Sequence, residues 1–193
     1  MGRLIPGTKV EVDRNSKNAY REQLAPIISI SGGLVLSQVC EITGLEPSTL
    51  QNWVKRGFVE NAVQKKYTKE QISRFLIINI LRQSMQLDRV IDLLRYLNGN
   101  LLEKSDDIIS DSELFYYFCS LHFMMEEEQK TGSFALKRNI KIVTGDYAAA
   151  NSAENVKRLE NALTIMVIAY ESTVARERAS ELMDKFVPST KGG

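Results

Sequence analysis

Between residues 48 and 56 the chain carries six polar side chains on one predicted face of a short helix. Leu50, Trp53 and Val54 lie three or four positions apart, which is the spacing of the buried face of such a helix. The side chains left for the outer face are Ser48, Thr49, Gln51, Asn52, Lys55 and Arg56. Gln and Asn can form paired hydrogen bonds with adenine, and Ser, Thr, Lys and Arg suit phosphates or guanine. This face is therefore predicted to contact base edges in the major groove of DNA.

Two lysines, Lys65 and Lys66, follow this helix after a short link. The segment 58–66 has the length of a small β-hairpin, and the lysines are expected at its base. A hairpin beside a helix that enters the groove forms a wing, which binds the sugar-phosphate backbone. Lys65 and Lys66 are therefore predicted to contact phosphate. The alternative interpretation is a solvated turn.

A shorter helix is predicted before the polar one, and a glycine turn joins the two. Ser37 is the expected N-cap of the first helix, and Thr43-Gly44-Leu45 forms the turn. Glycine suits this place because it adopts a left-handed backbone conformation without steric cost. The second helix is expected to begin at Glu46 or Ser48, with Pro47 in its first turn.

Two more helices are predicted to complete this unit. Thr68-Lys69-Glu70-Gln71 is a capping box, so a helix begins there. A further helix spans about 87–97, and Asn98-Gly99-Asn100 is typical of a helix C-terminus and a domain boundary. Residues 36–99 are thus predicted to fold as one domain, with the small β wing inside a mainly α fold.

The segment before this domain is predicted to be an N-terminal extension, residues 1–35, with one helix. That helix spans Asn15 to Ala25 and is expected to stop at Pro26. Residues 26–33 are predicted to form a connector that is partly extended.

The segment after this domain, residues 100–187, is predicted to be an all-α domain that dimerises, senses an effector, or does both. Its longest helix is expected from Ala153 to Phe186, and residues 188–193 are expected to be a disordered tail. Residues 1–99 hold 14 basic and 9 acidic side chains, whereas residues 100–193 hold 11 and 15. A basic first half joined to an acidic second half agrees with a part that binds a polyanion.

A homodimer is predicted to form through this C-terminal half. The long helix has an apolar face at spacings of three and four. Its residues are Val156, Leu159, Leu163, Met166, Tyr170 and Val174, and Ile165, Val167, Ile168 and Ala169 widen it. More than one neighbour must cover so wide a face, and we expect its own domain to be one and a second subunit the other. The alternative is a monomer in which residues 101–150 cover the helix completely.

At the level of motifs, residues 36–99 resemble the N-terminal winged helix-turn-helix domain of the MerR regulators. In that family a first helix ends in Thr-Gly, and a second helix carries Thr-Leu-Arg-Tyr-Tyr-Glu and closes with Gly-Leu. An Arg-x-Tyr-Ser/Thr link then opens the third helix. The matching pairs here are Thr43-Gly44, Thr49-Leu50, Gly57-Phe58 and Tyr67-Thr68. The resemblance implies a DNA-binding domain and makes Tyr67 a further DNA-binding residue. A closer resemblance is to an uncharacterised group of bacterial proteins with MerR-like heads and all-helical C-termini.

The chain departs from the MerR pattern in its second helix and wing. Gln51-Asn52-Trp53-Val54 stands where the family has Arg-Tyr-Tyr-Glu, and Lys65 and Lys66 stand where it has arginines. The arginine and tyrosine that family members direct at the DNA backbone are therefore replaced by uncharged side chains. The region beyond Gly99 also lacks the cysteine metal site of a MerR sensor.

Composition excludes several other classes of protein. The 193 residues are 44% hydrophobic and 25% charged, as in a folded globular protein. No window has the roughly 18 apolar residues that a membrane-spanning helix needs, and residues 1–6 lack the core of a secretory signal. Cys40 and Cys119 are expected to be free thiols in a reducing cytoplasm. Without a nucleophile, an acid–base pair, a phosphate loop or a metal cluster, we expect no enzyme, no cofactor and no bound metal.

Three aromatic features each have a structural and a functional interpretation. Trp53 is expected in the helix-turn-helix core, with base stacking as the alternative. His122 is expected to be a core histidine, since neither a ligand nor a base role has a partner in view. The aromatic residues 115–118, together with Phe123, Met124 and Met125, are expected in the core, with a pocket for an unknown small-molecule effector or a dimer face as the alternative.

The function predicted from the sequence is that of a sequence-specific DNA-binding transcriptional regulator of bacterial type, acting as a homodimer on double-stranded DNA. The alternative belongs to another class: a protein-interaction or scaffold module that keeps the winged-helix fold without binding DNA. The missing arginine in the second helix favours this alternative. Salt-dependent binding to duplex DNA distinguishes the two.

Overall fold

The computed structural model describes residues 2–16, 18–128 and 133–187, and this part of the chain is mainly α-helical, as predicted. Its elements are β1 (Arg3–Leu4), β2 (Glu11–Val12), a π-helical segment (Tyr20–Leu24), α1 (Ala25–Ile30), β3 (Leu34–Val35), α2 (Leu36–Thr43), α3 (Pro47–Lys55), β4 (Lys66–Tyr67), α4 (Lys69–Leu81), α5 (Leu87–Asn98), α6 (Asp111–Glu128), α7 (Ser133–Val143), α8 (Gly145–Ala150) and α9 (Ala153–Phe186). β1 pairs with β2 and β3 with β4, both antiparallel. The predicted disordered tail, 188–193, lies outside the described residues.

The N-terminal extension differs from its prediction at Pro26. The π-helical segment continues directly into α1, which ends at Ile30, so the expected stop at Pro26 and the extended connector were wrong. Pro26 lies in the first turn of α1, where a missing N–H does not break the helix. The proline therefore lies within a continuous helical stretch and does not end it.

The wing region is a tight hairpin that also pairs with a strand from before α2. Gln64 and Lys65 have positive φ angles of 50° and 63°, as in a two-residue hairpin turn. Val63 and Lys66 exchange two backbone hydrogen bonds of 2.9 Å, and β4 pairs with β3. The hairpin is thus shorter than the predicted 58–66, and Lys65 lies in the turn instead of at the base.

Gly33 allows β3 and β4 to approach each other. Its φ is +100°, and a Cβ there would lie 2.6 Å from the carbonyl oxygen of Tyr67. We therefore expect Gly33→Ala to lower the free energy of unfolding by about 1–3 kcal/mol, from backbone strain and this clash together. Urea denaturation measures the change. Gly32→Ala is the matched control, since φ is +64° there and a Cβ would meet nothing within 4 Å. Equal losses in the two variants would contradict the close approach.

The turn between α2 and α3 is organised as predicted, but the first N-cap is not. Val35, not Ser37, is the N-cap of α2, and its backbone N–H donates to Gln38 Oε1 over 3.1 Å. Gly44 has the expected left-handed conformation, with a φ of 69°. Pro47 opens α3 directly after Glu46, which was one of the two predicted starts.

The fourth helix is the centre of the molecule. Thr68 and Gln71 form the predicted capping box, and every residue of α4 from Gln71 to Leu81 is buried. Helices buried on all sides need neighbours on all sides, and α4 packs against α1, α5, α6 and α9. The core is continuous from Ile5 to Ala169. Residues on both sides of the predicted boundary at Gly99 contribute to this core, and the division into domains stays a prediction.

Candidate nucleic-acid interface

The rotation of α3 about its axis is fixed by two buried side chains. Leu50 is fully buried and Trp53 is 2% exposed. The Trp53 ring lies 6.2 Å from that of Phe75, between centroids, and the guanidinium of Arg82 lies 5.4 Å from the Trp53 ring centroid. The prediction that Trp53 is a core residue is confirmed. Because Leu50 and Trp53 face inward, the opposite side of α3 faces outward.

This outward side carries the polar residues that the sequence singled out. Ser48, Gln51, Asn52 and Lys55 are exposed, and Thr49 is half-buried. Within the described residues, none of these five side chains has a hydrogen-bond or ion-pair partner. Their donors and acceptors are therefore available to a ligand that lies along α3.

Arg56 lies at the end of α3 and is held against the protein. Its Nη2 is 3.2 Å from Asp88 Oδ1, and its guanidinium lies 4.4 Å from the centroid of the Phe58 ring. Both charged side chains are largely exposed, and exposed ion pairs of this kind contribute little stability. Arg56 can therefore exchange Asp88 for a phosphate at small cost.

The two predicted wing lysines differ in their surroundings. Lys65 is exposed in the hairpin turn and has no ion-pair or hydrogen-bond partner within the described residues. Lys66 is half-buried, and its Nζ donates a 2.6 Å hydrogen bond to the carbonyl oxygen of Ser31. Of the two side chains, Lys65 is the more available for phosphate.

Tyr67 differs from the other predicted site residues because its side chain is in the core. It is 7% exposed, and its ring packs edge-on against Phe75 at 5.2 Å between centroids. Burial raises the pKa of its hydroxyl. The Tyr67 ring thus packs into the core and attaches β4 to α4, which carries Phe75.

One basic residue near α3 was missed by sequence reasoning. Lys9, in the loop between β1 and β2, donates its backbone N–H to the carbonyl oxygen of Ile42 over 2.8 Å. Its side chain lies over Gly44, where a Cβ would be 2.7 Å from Lys9 Cε. No local pattern connects Lys9 to a turn more than thirty residues later. Glu46, the exposed N-cap of α3, brings a negative charge to the same end of the helix.

The predicted core position of the aromatic cluster is confirmed for its phenylalanines. Phe115, Phe118 and Phe123 are all buried, as expected of core residues, and Tyr170 packs edge-on against Phe118 at 5.5 Å between ring centroids.

In the described part of the chain, no group of three or more His, Cys, Asp or Glu residues could hold a metal ion. Across the same residues, no helix is long and apolar enough to cross a membrane.

Comparison with known proteins gives two partial similarities. Residues 27–118 match the model of a domain of unknown function, DUF1836. The uncharacterized protein YkrK of Bacillus subtilis (strain 168) is 32% identical over 79 residues, which is 39% of this chain and 34% of YkrK. The chain thus spans about a third of the length of this curated relative. No solved structure matches the chain. The segment 27–118 begins in α1 and ends in α6, so it includes the whole of α3 and the hairpin.

Proposed function

We propose that the chain is a sequence-specific DNA-binding transcriptional regulator of bacterial type, with a MerR-like winged helix-turn-helix in residues 36–99. The observation that carries the proposal is the exposed, unpartnered polar face of α3 beside a hairpin turn that bears Lys65. In this proposal α2 and α3 are the two helices of the motif and the hairpin is the wing. The DNA-binding residues are Ser48, Thr49, Gln51, Asn52, Lys55, Arg56, Lys65 and Lys66, with the buried Tyr67 supporting the wing.

Each part of this surface has a distinct task. A helix in the major groove identifies bases through side chains that can form directional hydrogen bonds, and Gln51 and Asn52 are such side chains. Lysines at the wing fix the position of the protein on the duplex without selecting a sequence. A single winged helix-turn-helix domain has only a small surface that contacts bases, which favours a homodimer that binds two half-sites.

The first test concerns the base-reading face. Gln51→Ala and Asn52→Ala are expected to relax base preference at one position each, at a cost of about 1–3 kcal/mol if the contact is bidentate. Selection from a random duplex library, followed by titration of the selected site, measures both effects. Gln86→Ala is the control, because Gln86 is exposed at the start of α5 and forms no capping hydrogen bond. Unchanged selectivity in both α3 variants would place the recognition face elsewhere.

The second test concerns the wing. Lys65→Ala together with Lys66→Ala is expected to weaken binding to every duplex alike and to flatten the salt dependence by roughly one to two units, because fewer counterions are released. Titrations at several salt concentrations give this slope. A control with Arg95→Ala and Lys157→Ala removes the same charge from exposed positions on α5 and α9. If wing and control variants behaved alike, Lys65 and Lys66 would be part of a solvated turn.

A second candidate function is a protein-interaction module without DNA binding. Apolar side chains near the hairpin favour it, since Ile27, Ile30 and Val63 are exposed and Ile30 is 88% exposed. Contiguous exposed apolar surface commonly marks a protein contact. A failure of the full chain to bind any duplex at low salt would favour this candidate over the regulator.

A further inference from the structure

The last part of α9 extends beyond the body of the protein. Thr173 is the last buried residue of this helix, and every residue from Val174 to Val187 is exposed. We call Val174–Phe186 the arm. Most helical stability in proteins comes from the packing of one face of the helix, so a surface that packs against the arm would stabilise it.

A mainly apolar stripe, interrupted by Ser172, runs along the outer side of α9 and continues through the arm. Its residues follow alternating steps of three and four, which is the spacing of a coiled-coil seam. They are Ile165, Ile168, Ser172, Ala175, Ala179, Leu182 and Phe186, and all are exposed. Phe186, the last of them, is 66% exposed. We call this set the outer stripe.

The outer stripe lies opposite the face with which α9 packs on its own protein. That inner face includes Leu159, Leu163 and Met166, which are fully buried. The chain itself covers these three residues, as expected for the part of the predicted face that packs on its own domain. In the arm, the inner direction is continued by Glu177, Ser180, Glu181 and Asp184. The outer-stripe residues of the arm thus face away from the side by which α9 joins the body.

Before the arm, the outer side of α9 is flanked by two grooves. One, about 530 Å³, lies towards α5 and is lined by Leu93 and Tyr96. The other, about 460 Å³, lies towards α7 and is lined by Lys137 and Lys141. Both grooves reach Asn161 and Thr164 of α9. In an antiparallel pair the tip of the arm can reach this part of the other α9, because the arm is exposed on all sides.

We propose that a second copy of the chain covers the outer stripe, with the two α9 helices antiparallel and the tip of each arm reaching the grooves beside the other α9. In this register Ile168 faces Leu182 of the second copy, and Ile165 faces Phe186. Ala175 lies near the two-fold axis, so the small side chains meet in the middle, where the helices approach closely. Interfaces with this symmetry are self-complementary.

Charges beside the outer stripe agree with this arrangement. Glu171 and Arg178 occupy the same flank of the stripe, one heptad apart. In the antiparallel register Glu171 of each copy lies opposite Arg178 of the other, which gives two attractive pairs. Flanking charges of this kind set orientation and partner choice in coiled coils.

The proposed contact between two α9 helices is the surface of the proposed homodimer, and it does not depend on whether residues 36–99 bind DNA. Light scattering and sedimentation of the full chain test it, with duplex binding measured separately. We expect a dimer that Leu182→Glu or Phe186→Glu dissociates, raising the dissociation constant roughly a hundredfold or more, because each substitution acts twice. Ser180→Glu is the matched control, since it adds the same charge to the polar side of the arm. A monomeric wild-type chain, or equal dissociation by the control, would overturn the proposal.

Cysteine crosslinking tests the orientation in a Cys40→Ser background, in which Cys119 stays buried. A mixture of Ile168→Cys and Leu182→Cys chains is expected to give a mixed disulfide dimer on mild oxidation. Neither variant alone is expected to form one. Disulfide dimers of Leu182→Cys alone would show parallel helices and overturn the antiparallel arrangement. All of these positions on α9 are exposed, so we expect the variants to keep their helix content. Circular dichroism measures it.

Discussion

Replacing Arg74 by methionine is expected to lower the free energy of unfolding by about 3–5 kcal/mol, because it leaves a buried carboxylate unpaired. The side chains of Arg74 and Asp111 are 3% and 5% exposed. Asp111 Oδ2 accepts from Arg74 Nε at 2.9 Å and lies 2.8 Å from Nη2, and Arg74 also donates to the carbonyl oxygen of Leu101. Asp111 Oδ1 has no partner even with Arg74 present. Denaturant unfolding of the full chain measures the loss.

The control for Arg74 separates loss of the charge partner from loss of packing. Arg74→Met combined with Asp111→Leu removes both charges, and we expect it to recover much of the stability lost by Arg74→Met alone. Arg89→Met breaks the exposed pair with Asp92, and we expect a change of about 0.5 kcal/mol or less. If the double variant were as unstable as the single one, the packing of Arg74 and not its charge would be the cause.

The ion pair between Arg74 and Asp111 also shows what a local sequence pattern cannot reveal. Arg74 lies in a helix that is otherwise mostly apolar after its first turn, and Asp111 lies in a stretch of the sequence with three other acidic residues, Asp106, Asp107 and Glu113. Their contact joins α4 to the start of α6, where Glu70 also accepts from the backbone N–H of Ser112 over 2.8 Å. Such a contact depends on how distant elements pack, and nothing near either residue in the sequence encodes it.

Local signals succeeded where the local chemistry alone decides the structure. The Thr68–Gln71 capping box and the turn at Gly44 formed as predicted, because each satisfies its own backbone groups within a few residues. The predicted helix end at Pro26 was wrong, because a proline is tolerated in the first turn of a helix as well as after its end. Which of the two occurs depends on the chain before it. The predicted N-cap at Ser37 was wrong, because the helix begins earlier and the side-chain oxygen of Gln38, inside the helix, accepts from the backbone N–H of Val35.

In the candidate site, too, some residues could be placed from local sequence patterns and others could not. Helical spacing alone predicted that Leu50 and Trp53 turn inward, and hence which side chains of α3 are exposed. It could not place Tyr67, whose ring is directed into the core by the pairing of β4 with a strand thirty residues earlier. It could not find Lys9 either, since that lysine reaches the turn at Gly44 only through the packing of an N-terminal hairpin.

The stability of the protein is expected to depend on pH through His122. Burial lowers the pKa of His122 to about 4 from an ordinary value of 6.5. The groups that face it are Tyr170, whose ring packs edge-on at 5.0 Å between centroids, the carboxylate of Glu126 and the guanidinium of Arg3. The carboxylate raises the pKa and the guanidinium lowers it, both less than burial does.

The sign of this effect follows from which state binds the proton first. As the pH falls below 6.5, the unfolded chain protonates His122 while the folded chain does not, until the pH nears 4. His122 therefore contributes stability that is present above pH 6.5 and is lost towards pH 4, and the loss amounts to about 3 kcal/mol. Asp111 acts in the opposite direction, because burial raises its pKa to about 6 and the folded state binds that proton first. The two effects partly cancel in the wild-type chain.

The variant His122→Gln isolates one of these opposing effects. Without the imidazole, the contribution of His122 is removed while those of Asp111 and the other carboxyl groups remain, so we expect the variant to gain stability relative to the wild type as the pH falls from 7 to 4. Urea denaturation of both chains at steps across this range gives the difference directly, whatever constant cost the substitution itself carries. A difference that stayed constant from pH 7 to 4 would show that His122 protonates equally in the folded and unfolded chains. The packing of its ring against Tyr170 would then leave it open to water.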